Sequence, residues 1–194
     1  MEQIVQLNSG AKLSPHFTLG EFTRSGSHPE VYNIPSHEAI ANLKRLCVWL
    51  EELRKRYNDK YVVVKGDVST TLDMTGGDGA LGMTPPSLSS RPSEARGEIS
   101  EEPIRLNSGY RSPQLNRAIG GVANSNHLTG CAVDIRVENM EQLIRYAAIL
   151  LDISNETHQD FDELLIEKNR HGAIWLHFAV RPSNNRRKVM FLNA

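Results

Sequence analysis

Ser125-Asn126-His127-Leu128-Thr129-Gly130-Cys131-Ala132-Val133-Asp134 is the stretch on which the reading of this chain turns. A polar loop carries a histidine, a glycine closes it, and the run from Cys131 to Val137 has the small and β-branched residues of a short strand. His127 falls in the loop and Asp134 on the strand. Imidazole nitrogen and carboxylate oxygen both bind zinc at about 2.0–2.2 Å, and a turn at Gly130 would bring the two together. Spacing does not decide the matter: taken alone, the pair favours a surface histidine beside an unrelated strand aspartate.

A third ligand has to come from elsewhere, and Trp175-Leu176-His177-Phe178 offers one. On strand alternation His177 shares a face with Trp175 and Ala179, opposite Leu176, Phe178 and Val180. A histidine in such a place is more often a hydrogen-bonded core residue than a ligand. Two features favour a ligand here. The strand would pair as a hairpin with 162–167, and the chain holds only seven histidines, two of them in these settings. Two histidines and an aspartate with one coordination position open describe a catalytic rather than a structural zinc site.

The remaining elements follow from periodicity. Ser36 caps a helix over 36–57, in which Ile40, Leu43, Leu46, Cys47, Leu50, Leu53 and Tyr57 recur at helical spacing. A second amphipathic helix covers 138–152, and a short one follows Ser112-Pro113 and closes at Gly120-Gly121. Strands are expected at 61–65, 103–109, 131–137, 162–167 and 173–180. With no regular βαβ alternation, the pattern predicts an α+β fold, a small and mainly antiparallel sheet against helices. Residues 67–102, rich in Gly, Pro, Ser and Thr and without periodicity, read as a flexible inserted loop. The whole of 1–194 reads as one domain.

Bulk properties narrow the classes. With 39% hydrophobic and 23% charged residues the chain is an ordinary globular one. A formal net charge of −1 with dispersed Lys and Arg supplies no footprint for nucleic acid. The one basic knot, Asn184 to Lys188, reads as a solvated surface turn. No stretch approaches the roughly 20 apolar residues of a membrane span, and the first residues lack the basic start and apolar core of an export signal. Cys47 and Cys131 have no CxxC spacing and read as reduced core thiols. Oligomeric state is not legible.

The motif Ser-x-His-x-x-Gly-x-Ala-x-Asp over 125–134, followed downstream by Trp-x-His at 175–177, resembles the zinc D-Ala-D-Ala carboxypeptidase superfamily. That superfamily includes D-alanyl-D-alanine dipeptidases, phage L-alanyl-D-glutamate endopeptidases and the hedgehog signalling domain. Residues 13–22, Asn33-Ile34-Pro35, residues 106–112 and Gly120-Gly121 fall in the order of its shorter, phage-like branch. The likeness covers nearly the whole chain.

The resemblance implies one zinc held by His127, Asp134 and His177. It also implies that Arg111 grips the terminal carboxylate of a substrate, for which a guanidinium fork is suited. Ser125 matches a residue that helps bind the dipeptide end, and reads equally as a loop cap. Tyr110 is either a rim residue facing substrate or strand packing. The sequence departs from better-known members where they carry a general base: Ile174 replaces an acidic residue three before the last ligand, and Trp175 replaces a histidine two before it. Glu167 is the best remaining base, matching an acidic strand end of the phage-like branch, against a plain reading as an exposed, ion-paired carboxylate. His171 is a weaker contender.

The implied activity is hydrolysis of peptidoglycan stem peptides, at a D-Ala terminus or an L-Ala-D-Glu type bond. The alternative is a non-catalytic, zinc-containing binding module of the hedgehog-like kind. The setting stays open between a lysis or remodelling enzyme of a phage or mobile element and a bacterial cytoplasmic enzyme acting on precursor peptides.

Overall fold

Ser36 begins the longest element as expected: its Oγ accepts from the Ala39 amide at 3.1 Å and starts helix α2, His37–Tyr61. In this computed structural model the described residues are 8–62 and 101–193. Leu43, Leu46, Leu50 and Leu53, at successive helical spacings, are fully buried. The helix runs four residues past its expected end. Tyr61 stacks on Tyr57 one turn earlier, with ring centroids 5.4 Å apart, which holds the last turn in register. The strand expected at 61–65 is therefore wrong at Tyr61 and Val62, which end the helix, while 63–65 lie outside the described residues. Of the expected loop at 67–102, only Glu101 and Glu102 are described. Glu102 is tied back to α2, its amide donating to Asn58 Oδ1 at 2.7 Å.

Among the described residues five strands form one sheet in the order β1-β2-β4-β3-β5: β1 Leu106–Ser108, β2 Ala132–Arg136, β3 Glu163–Lys168, β4 Ile174–Ala179 and β5 Lys188–Asn193. All pairings are antiparallel except β3 with β5. Between them lie α3, Pro113–Ala118, a 3-10 turn at Asn126–Thr129, and α4, Met140–Thr157, which links β2 to β3. The fold is α+β, as the sequence predicts.

Alternation divides the sheet into two faces. Val133, Ile135, Leu164, Leu176, Phe178 and Val180 enter the core with α2 and α4, where Trp49 meets Phe178 at 5.3 Å between ring centroids. Leucine- and aromatic-sized side chains removed from water here supply the main folding drive, at about 1.5–3 kcal/mol each. Asp134 and His177, directly paired across β2 and β4, face the other way.

Two elements go beyond the sequence reading. Helix α1, Leu19–Thr23, is started by a capping box in which the Thr18 amide and hydroxyl donate to Glu21 Oε2 at 2.7 and 2.8 Å. It seats Phe17 and Phe22 in the core. The final strand β5 is not among the strands expected from the sequence, whose surface turn over Asn184 to Lys188 overlaps it only at Lys188. Asn184 and Arg187 do adopt the positive φ of a turn, but Lys188 starts a strand. As an edge strand β5 leaves Val189, Met190 and Phe191 more than 40% exposed, so no buried alternation announces it.

Candidate metal centre

The 3-10 turn that carries His127 is capped by Ser125, whose Oγ accepts from the His127 amide at 3.3 Å, and ends at Gly130 with φ of 71°. Only glycine takes this backbone without strain. A Cβ on Gly130 would also stand 2.6 Å from the Ala39 carbonyl oxygen of α2, so the turn lies hard against that helix. From there the chain enters β2, and Asp134 emerges on the sheet face opposite the core.

His127, Asp134 and His177 converge, all buried. His127 Nε2 lies 3.3 Å from Asp134 Oδ1 and 3.2 Å from His177 Nδ1, and His177 Nδ1 lies 2.9 Å from the same Asp134 oxygen. Tetrahedral ligands held about 2.0–2.2 Å from one ion stand roughly 3.3–3.6 Å apart, so this triangle needs to open by only a few tenths of an ångström. The tautomer fits as well. His127 Nδ1 donates to the Gly109 carbonyl at 2.6 Å, which leaves the Nε2 lone pair for the cluster.

Electrostatics point the same way. Burial drives the His127 pKa down, keeping that ring neutral against the pull of Asp134. Burial also opposes charge on Asp134 and His177, but their mutual attraction wins. The two imidazoles hold the Asp134 carboxyl well below the usual range, and Asp134 with Glu163 lifts His177 to about 9. Two imidazole nitrogens and a carboxylate oxygen are a donor set suited to zinc.

Around the cluster is a cleft of about 440 Å³, lined among others by Arg111, Ser125, Glu163, Leu165, Glu167 and Arg186. Arg111 donates to Asp134 Oδ2 at 2.6 Å and to Ser108 Oγ at 3.0 Å. Asp134 therefore presents one oxygen to the histidines and the other to the guanidinium. Glu167 lies opposite Trp175 across β3 and β4. Burial pushes its pKa up, reinforced by the Asp134 charge and opposed by His177 and a Trp175 hydrogen bond. Tyr110 is placed differently: it is buried in the core cluster and does not line this cleft. Exposed His171 sits in the β3–β4 turn and is likewise absent from the lining.

Glu163 escaped the sequence reading, although it alternates with Leu165 and Glu167 on one strand face. Its carboxylate lies 3.6 Å from His177 Nε2, the ring nitrogen turned away from the cluster. Contact with His177, then Arg186, lowers its pKa to about 2 despite partial burial. Behind it Asp162, wholly buried, accepts from Arg186 at 2.7 and 2.8 Å and from Asn126 at 2.8 Å. The basic knot at 184–188 is thus corrected in part: Arg186 is a structural ion-pair partner, not only a solvated charge. Both cysteines are free and buried, and burial pushes the Cys47 thiol up to about 12, the state of an inert core thiol.

A buried, open-sided His-Asp-His cluster on the polar face of a small α+β sheet defines a candidate metal-dependent hydrolytic centre. The family model described as Peptidase M15 matches residues 85–163, part of them outside the described residues, and supports the zinc D-Ala-D-Ala carboxypeptidase superfamily that the motifs resemble. The match includes Arg111, His127, Asp134 and Glu163 and stops short of Glu167 and His177. No curated protein matches the chain. Among the described residues no helix is long and apolar enough to cross a membrane.

Proposed function

We propose that the chain is a zinc peptidase that cleaves peptidoglycan stem peptides, of D-Ala-D-Ala carboxypeptidase or L-Ala-D-Glu endopeptidase type. The observation that carries this reading is the convergence of His127 Nε2, Asp134 Oδ1 and His177 Nδ1 in a cleft that also contains Arg111 and Glu167. His127, Asp134 and His177 would hold the ion, which when bound polarises a carbonyl and lowers the pKa of a coordinated water toward about 7.

Each of the chain's own groups has a task. Arg111, braced by Asp134 and Ser108, offers its remaining N–H donors to a substrate carboxylate. Glu167, desolvated and with a raised pKa, accepts a proton at its carboxylate from the attacking water and returns it to the leaving amine. Glu163 faces His177 Nε2 and orients that ring. Ser125 fixes the His127 turn and lies within the cleft, in reach of the dipeptide end. Tyr110, buried beside Arg111, anchors the loop after β1 from which the guanidinium extends. The protein would be made in a bacterial or phage-infected cytoplasm and act on wall or precursor peptides as one domain.

Two measurements on one preparation test this. Metal analysis should find close to one zinc per chain, and purified stem peptides should yield D-alanine or a cleaved fragment. Protein without zinc would overturn the proposal. Full zinc occupancy with every stem peptide left intact would favour the non-catalytic binding module, a reading that draws on the absence of an acid at Ile174 and of a histidine at Trp175.

A further inference from the structure

The fragment Asn33-Ile34-Pro35, part of the family likeness, has no task in the proposed reaction. Asn33 is nine-tenths buried, and its side-chain amide is fully engaged. Its Nδ2 donates to the Tyr110 carbonyl at 2.8 Å and to the Thr23 carbonyl at 2.8 Å, while its Oδ1 accepts from the Ser112 amide at 2.6 Å. The two backbone groups it holds on that segment are those immediately before and after Arg111. One planar amide thus brackets residue 111 much as a neighbouring strand would.

The rest of the segment is held from the metal side. Gly109 accepts from His127 Nδ1 at 2.6 Å, and the Arg111 amide donates to the His127 carbonyl at 3.1 Å. A Cβ on Gly109 would sit 2.7 Å from the Phe22 carbonyl oxygen, so the segment cannot settle closer to α1. Ser112 Oγ donates to the Tyr32 carbonyl at 2.9 Å, a second tie to the same loop. Residues 109–112 are therefore suspended between His127 and Asn33. Without the Asn33 side, the segment keeps its attachment to His127 but loses the backbone ties on both sides of Arg111, leaving the guanidinium to the Asp134 and Ser108 contacts and the loop to the Ser112–Tyr32 bond alone.

We infer that Asn33 is a positioning residue for Arg111, setting the guanidinium at a fixed offset from the metal cluster for a carboxylate-bearing peptide. This inference rests on the proposed reading of Arg111 as the carboxylate grip. Asn33 touches no reacting atom; it acts through the two peptide groups flanking Arg111.

The test is equilibrium binding of N-acetyl-D-alanine and of its C-terminal amide to the zinc-loaded protein, followed by NMR titration. The wild type should prefer the acid by about tenfold, a coupling of ordinary size for adjacent groups. Arg111→Ala should abolish that preference. Asn33→Ala should reduce it to near that of Arg111→Ala with zinc content unchanged, and adding Asn33→Ala to Arg111→Ala should cause no further loss. A merely structural asparagine would lower stability but leave the acid-to-amide ratio intact, or would add a further binding loss on the Arg111→Ala background; either result overturns the inference. Should Asn33→Ala fail to fold, Asn33→Ser, which keeps a short hydroxyl, is read in the same way. Absence of any preference in the wild type would instead sink the reading of Arg111 and the inference with it.

Discussion

Glu163 and Glu167 stand on the same face of β3, one on each side of Leu165, the residue directly opposite His177. The two carboxylates have opposite environments. Ion pairing lowers the pKa of Glu163, and burial raises that of Glu167. Groups whose surroundings push their pKa values apart divide between structural and proton-transfer work.

Substitution should separate these roles. Glu167→Gln is expected to lower kcat by about 10²- to 10⁴-fold, the usual share of a general base, with zinc still bound. Glu163→Gln should act on the metal, weakening zinc affinity by about 10- to 100-fold as loss of an outer-shell partner does, while saturating zinc restores most turnover. Stem-peptide hydrolysis and competition with a zinc chelator measure the two effects. The reverse pattern would exchange the two assignments.

Metal removal should destabilise the fold, because the stabilisation grows with the logarithm of free zinc. A ligand at 100 times its Kd stabilises the folded state by about 2.7 kcal/mol, so the Tm should rise with zinc and fall with chelator. His127→Ala should make the Tm insensitive to either. Scanning calorimetry at several zinc concentrations checks this, and a zinc-dependent Tm that survives in the variant would place the ion elsewhere.

The glycines provide a local comparison. Gly130 and Gly172 both have positive φ, 71° and 86°, but Gly130 faces the Ala39 carbonyl whereas nothing lies within 4 Å of a Cβ on Gly172. Gly172→Ala should cost only the backbone strain, about 1 kcal/mol. Gly130→Ala should cost clearly more and also weaken zinc binding, because the turn that carries His127 must move away from α2. Urea unfolding of both variants measures the difference; equal costs would mean that the Ala39 contact relaxes freely.

Acid stability should depend on Asp162. Burial opposes its charge, but Arg186 and Asn126 prevail and hold its carboxyl below the usual range. A depressed folded pKa contributes stability that is complete above the ordinary value near 3.8 and is lost as pH falls below it. Asp162→Ala, which removes a buried acceptor shared by Arg186, Arg181 and Asn126, is expected to cost about 1–3 kcal/mol at pH 6. It should also flatten the fall in stability as pH drops below about 4. Urea midpoints across that range supply the measurement, and parallel curves for the two proteins would refute the assignment.

Much of this architecture was legible in the sequence because it rests on short-range regularities. The helical recurrence of Leu43, Leu46, Leu50 and Leu53, the Ser36 cap and the strict alternation about His177 each follow from backbone geometry that neighbours alone dictate. The Thr18-x-x-Glu21 capping box is equally local, but a helix of only five residues has no periodicity to accompany it. What the sequence withheld depends on partners distant along the chain. Glu163 gains its place only when β4 is laid beside β3, and Arg186 only when the turn after β4 folds back on Asp162. The strand β5 was hidden for the opposite reason, since an edge that buries little carries little pattern. Tyr110 could be read as rim or packing, and only the packing of the core against its ring shows that it is buried.

That edge strand also bounds the candidate site. Leu192 forms part of the wall beside Glu167 and pairs with it across β3 and β5. Substitutions that weaken the β3–β5 pairing would therefore loosen the cleft wall next to Glu167 as well as the sheet edge, so β5 contributes to the shape of the site without supplying a ligand or a proton acceptor.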